Sequence, residues 1–375
     1  MSFRLLIGKV LLLLIVLLVL ISGLTGFGCG VGPIPRGWSG ATMADGAIFL
    51  GSMEGKLVAI DVSSRNRLWP DVPFKTKSSG GFGCAPTSTA VALYGAPAVA
   101  GELVYIAGYN GKLYAINSQT GALRWVYPRE GELPPIIGGP AINLNKVYIG
   151  DSDGKIYALD AATGDREWEF ETGGKIWSTP AIDRDTLYIG SFDKKLYALN
   201  AANGNKQWEF ETKGAIVSTP LVYDDAVYIG SFDRYLYALN AINGSLRWKF
   251  LAENWFWARP LAYNGVIYAG SVDGKFYALK AENGEKIAEF DLGSQIISSP
   301  VLVDGSIIIA SEEGQVYSLD TTNNQKRQLI NLEEKIYASL SASNGVVYIH
   351  SEKDVLYAVD AQLGTTLWNL SLKSE

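Results

Sequence analysis

A period of forty residues limits what this chain can become more than any other feature of it. Tyr148, Tyr188, Tyr228, Tyr268, Ile308 and Tyr348 recur at that spacing without an insertion, Tyr105 opens an earlier copy, and Ile48 marks a divergent first one. Self-similarity at such a period belongs to solenoids and propellers, where one unit cannot bury its own apolar face and a neighbour must cover it. In the copy that begins at Tyr148, the stretches Tyr148-Ile149-Gly150 and Ile156-Tyr157-Ala158-Leu159 read as short strands. Asp153-Gly154 between them has turn chemistry, because glycine tolerates positive φ and aspartate bonds its own backbone; Asn110-Gly111 and Asp273-Gly274 match it. A second turn at Thr163-Gly164, repeated at Thr120-Gly121, Asn203-Gly204, Asn243-Gly244 and Asn283-Gly284, leads into a strand that carries Trp168. Upstream, Pro140, Pro180, Pro220, Pro260 and Pro300 each open a further strand, where a missing N–H is tolerated. Each copy therefore reads as four antiparallel strands. Eight such sheets set radially cover one another, so the expected fold is all-β, an eight-bladed β-propeller of four-stranded antiparallel blades over residues 31–375.

Composition narrows the chemistry. Net charge is −6 and no stripe of Lys and Arg interleaves with aromatics, which argues against a nucleic-acid partner, since phosphate contacts need clustered cations. A single histidine, His350, excludes a multi-histidine metal site or a histidine-based catalytic triad, though chemistry run by carboxylates alone stays open. The pairs Glu312-Glu313 and Glu333-Glu334 stand on turns without calcium-loop spacing.

Residues 1–30 form a separate segment. Arg4 and Lys9 precede an aliphatic run, Val10 to Ile21, and no charge returns before Arg36. The stretch from Val10 to Gly28 is long enough to cross a bilayer core as a hydrophobic helix, and its basic start matches a signal or anchor. The propeller is thus expected outside the cytoplasm, on the periplasmic or cell-surface side of a membrane. Cys29 follows Gly26-Phe27-Gly28, a partial lipobox that makes it a candidate lipidation site; an uncleaved membrane helix ending near Cys29 is the other reading, and the sequence leaves both open. Cys84, in the Gly/Ser-rich stretch from Lys77 to Ser88, can pair with Cys29 only if Cys29 is not lipidated.

Ala158, Asp160, Thr163, Gly164 and Trp168 spell Ala-x-Asp-x-x-Thr-Gly-x-x-x-Trp, which resembles the tryptophan-docking motif of the PQQ-type (pyrroloquinoline quinone) β-propeller repeat family. Close matches end in Trp125, Trp208, Trp248 and Trp368 and a looser one in Trp69. The resemblance implies that these five indoles, with Trp168, dock adjacent blades. Ala288 and Gln328 stand in the tryptophan position of the sixth and seventh copies, so those two contacts are expected to be the weakest. That family holds quinoprotein dehydrogenases and smaller non-enzymatic propellers, among them the lipoprotein of outer-membrane β-barrel assembly. This chain has no adjacent cysteine pair and no long inserts, so it resembles the non-enzymatic branch, which implies no enzyme activity and no cofactor.

Departures from the repeat mark a candidate interaction site. Arg259 stands where Thr179, Thr219 and Ser299 stand in other copies, and Trp255 where Lys175, Ala215 and Gln295 stand. Trp257, Trp177 and Tyr337 share the position of Val217 and Ile297 and are placed to form an aromatic rim at the channel mouth. The plainer reading is that these rings fill gaps between blades and that Arg259 faces water. The expected function is a membrane-anchored scaffold for a protein partner; the alternatives are a small or polymeric ligand such as a glycan at the mouth and, last, a quinoprotein dehydrogenase.

Overall fold

A computed structural model describes residues 37–78 and 87–373. The hydrophobic segment with Cys29, and Cys84, lie outside the described residues. Contacts divide the chain into two units. The first, Met1–Ile34 with Lys77–Thr89, includes among its described residues the tips of two paired strands, Lys75–Ser78 and Thr87–Ala90. The second, Pro35–Thr76 with Ala90–Glu375, carries eight four-stranded sheets.

Each of the eight sheets is an antiparallel meander cut from one continuous stretch of chain. The third blade shows the pattern: Ala141–Asn143, Lys146–Gly150, Lys155–Asp160 and Arg166–Glu171, paired in that order. First strands of neighbouring blades pack side by side. That of the first blade, Thr42–Ala44, touches both Ala98–Ala100 of the second and Ser341–Ser343 of the eighth, so the ring closes. Burial follows radius. The first strand is half-buried along the channel, the second and third are buried on both faces, and the fourth alternates exposed and covered residues. Blades flanked on both sides need apolar residues on both faces, which is why Val147–Ile149 and Ile156–Leu159 are continuous apolar runs.

The core is distributed around the ring. Eight apolar clusters each draw on two adjacent blades, so every cluster lies at a seam. At the best-formed seams one backbone carbonyl accepts two side-chain donors from the preceding blade. Ala161 O takes Tyr105 OH at 2.9 Å and Trp125 Nε1 at 3.0 Å. Ala201 O takes Tyr148 OH and Trp168 Nε1, Ala241 O takes Tyr188 OH and Trp208 Nε1, and Ala281 O takes Tyr228 OH and Trp248 Nε1. Trp69 Nε1 donates to Ser118 O at the first seam. The indole face lies on the turn glycine of the next blade: a Cβ on Gly204, which sits at φ +75°, would come within 2.7 Å of Trp168. Only glycine meets both demands there.

Seams without the indole look different. Ala288 is half-buried and its side chain contributes no hydrogen bond, and the next blade has Asn324, at φ 55°, where six of the others have glycine. Gln328 is exposed, and the outer-strand bulge moves from its usual place after the third-strand alanine to between Val316 and Tyr317. At the closing seam Trp368 is half-buried against Tyr348, and the first blade carries Arg65, at φ 62°, in the glycine position.

The seam tyrosines give the fold an alkaline limit. Burial pushes Tyr105, Tyr148 and Tyr228 up to about 12, with nearby charges as lesser causes. A folded value above the unfolded one, about 10, means full stability below pH 10 and progressive loss as pH rises toward 12, where the folded phenols finally ionise. Unfolding followed by circular dichroism against pH should fall in that window, together with the rise of tyrosinate absorbance. Tyrosinate appearing near pH 10 with the fold intact would contradict the burial of these phenols.

Candidate functional site at the channel mouth

The antiparallel path places all fourth-to-first connections and all second-to-third turns at one end of the ring. At that end the chain enters each inner strand through equivalent residues. Four positions before the strand opens stand Trp38, Tyr94, Ile137, Trp177, Val217, Trp257, Ile297 and Tyr337, and together they line the mouth of the channel. Five of the eight are aromatic. Two positions before the strand stands a second ring: Gly40, Ala96, Gly139, Thr179, Thr219, Arg259, Ser299 and Ser339.

The mouth aromatics form two connected arcs. In one, Trp177 meets Phe192 at 4.6 Å and Trp257 at 6.4 Å, Phe192 meets Phe232 at 6.2 Å, and Phe232 stacks on Trp257 at 5.7 Å and on Trp255 at 4.6 Å. In the other, Trp38 packs edge-on against Tyr94 at 4.6 Å and beside Tyr337 at 5.5 Å, and Tyr94 reaches Tyr109 at 5.8 Å. Trp38, Tyr109 and Trp255 remain 36–42% exposed, so these members of the arcs face solvent, while Trp177, Trp257 and Tyr337 are half-buried. Trp177 Nε1 is buried with no hydrogen-bond partner.

Of the residues singled out in the sequence, Trp177, Trp257, Tyr337 and Arg259 come together around the mouth, while Trp255 lies outside its lining and joins through Phe232. Trp38, Tyr94, Tyr109, Phe192 and Phe232 were not foreseen. A signal existed for Tyr94, three residues before Pro97, and for the repeated Ser191-Phe192-Asp193 and Ser231-Phe232-Asp233. Trp38 was hidden because its strand follows Ala41 and not a proline. Among the described residues, no group of three or more His, Cys, Asp or Glu is placed to hold a metal.

A family model described as "Outer membrane protein assembly factor BamB" matches residues 31–249 and 171–370. The chain belongs to this BamB family. Among solved structures, the chain is similar to BamB from Moraxella catarrhalis, with TM-score 0.66 and 21% identity over 83% of this chain and 90% of that one. It is also similar to the computationally designed Ika8 protein, with TM-score 0.70 and 15% identity over 88% of this chain and 95% of that one. At these identities the likeness speaks for the fold. No curated protein matches the chain.

Proposed function

We propose that this BamB-family propeller is a non-enzymatic scaffold, held by its N-terminal segment on the extracytoplasmic side of a membrane, that docks a protein partner in outer-membrane protein assembly through the aromatic mouth. The observation that carries this reading is the pair of solvent-facing arcs, gathered at one end of a ring whose other surfaces repeat. Large exposed rings beside a concave opening are the usual anchors of protein interfaces, where a few aromatics supply most of the binding energy. The hydrophobic run from Val10 to Ile21 supports the tether, and the family's description supports the process.

The test exchanges the rings for residues that other blades carry at the same positions, Trp255→Ala as at Ala215 and Trp257→Val as at Val217. The double variant should keep the circular dichroism spectrum and melting temperature of the native chain within a few degrees. Its recovery of assembly partners from native membranes should fall at least tenfold. Undiminished recovery would remove the mouth from the interface.

A further inference from the structure

Beneath the aromatic rim, a cavity of about 410 Å³ runs into the channel, lined by Thr179, Thr219, Arg259, Ser299, Ser339 and the apolar inner strands. Arg259 lines both this cavity and the mouth, and it is the one charged side chain in either lining. Among the described residues, no carboxylate lies within ion-pair distance of its guanidinium. The repeat's own choice at this position is a hydroxyl or a small residue, so a cation here is a departure that packing does not require.

The hydroxyls around it are oriented by the backbone. Thr179 Oγ1 accepts the Gly139 N–H at 2.8 Å, and Ser299 Oγ accepts the Arg259 N–H and the Ser339 hydroxyl, each at 3.2 Å. Ser299 Oγ thus accepts two hydrogen bonds and Thr179 Oγ1 one, and each keeps its own hydrogen to donate; among the described residues the Thr219 hydroxyl has no hydrogen-bond partner. Arg259 is exposed to the open channel, and desolvation by the surrounding walls still lowers its pKa. A guanidinium fork that shares one cavity with several hydroxyl donors, with no competing anion of its own among the described residues, is matched to an oxyanion.

We propose that the central channel holds a binding site for one small oxyanion, a carboxylate or a phosphate group, bound by the Arg259 guanidinium with the hydroxyls of Thr179, Thr219 and Ser299. The site stands apart from the docking reading, since it needs no protein partner and its key residue is not one of the mouth rings.

Isothermal titration of the full chain in detergent tests it, with sodium acetate and sodium phosphate as probes at constant ionic strength set by chloride. At least one probe should saturate at one per chain. Arg259→Thr, which installs the residue found at Thr219, should weaken that binding at least tenfold while melting no lower than the native chain in anion-free buffer. Arg259→Lys keeps the charge without the fork and should fall between the two. Saturation by acetate alone assigns the site to a carboxylate, and saturation by phosphate, with or without acetate, to a phosphate group. Absence of saturable binding by either probe, or equal binding by Arg259→Thr, would overturn the proposal.

Discussion

Replacing Trp168 with alanine is expected to lower stability by about 3–5 kcal/mol, the range for emptying a large buried aromatic site. The indole is wedged between blades, with its face on Gly204 and its Nε1 on Ala201 O. The carbonyl keeps Tyr148 OH at 3.0 Å after the change, so it is not orphaned, and the loss comes from packing. Trp168→Phe separates the two contributions: it retains most of the ring and loses one neutral hydrogen bond, about 1 kcal/mol. Gly204→Ala attacks the same wedge from the other side and should also destabilise, because the added Cβ meets the ring at positive φ. Urea midpoints of the three variants check the order, with Trp168→Ala lowest. A Phe variant as damaged as the Ala variant would make the hydrogen bond, and not the wedge, the dominant contribution.

The second large effect is expected at His350. Because every blade is built from one continuous stretch, no exchanged strand latches the ring among the described residues, and closure there rests on contacts between the eighth and first blades. His350 is 3% exposed and stands where five of the other blades have glycine and two, at Ala107 and Ala310, have alanine. Its Nδ1 lies 2.9 Å from Ser39 O of the first blade and its Nε2 2.9 Å from Asp354 Oδ1, which also accepts the Met53 N–H of that blade. A carbonyl can only accept, so Nδ1 carries a hydrogen, and the imidazole and carboxyl share a proton on the other side. Removing one partner of such a buried pair typically costs about 3–5 kcal/mol, because the other is left uncompensated. His350→Ala should cost that much and loosen the first and eighth blades before the rest, read by hydrogen exchange at Ser341–Ser343 and Thr42–Ala44. The pair Asp354→Gly with His350→Gly, which restores the repeat, should cost less than the sum of its singles. Additive losses would show that the two side chains do not act together.

The ring itself was legible because its determinants repeat locally. The turn glycine, the tryptophan four residues later and the tyrosine that joins them at the seam all recur within one copy of forty. What receives them was not legible, since Ala161 O and its equivalents are backbone groups with no residue signature. His350 was read only as a limit on chemistry, and its role depends on Ser39 and Met53, about three hundred residues away and adjacent only once the ring closes. The mouth was legible in part. Trp177, Trp257 and Tyr337 share a position in the period, whereas the stacking of Trp255 on Phe232 crosses from one blade's entry loop to another turn and leaves no spacing to count.

The most direct test of the docking account places a photo-crosslinking residue at one of two exposed positions in the full chain within native membranes. Lys175 sits at the mouth beside Trp177, and Asn264 sits on a first-to-second-strand turn at the opposite end of the ring. An adduct with a component of outer-membrane protein assembly from position 175 and none from 264 is the predicted result. Adducts from 264 with none from 175 would contradict it.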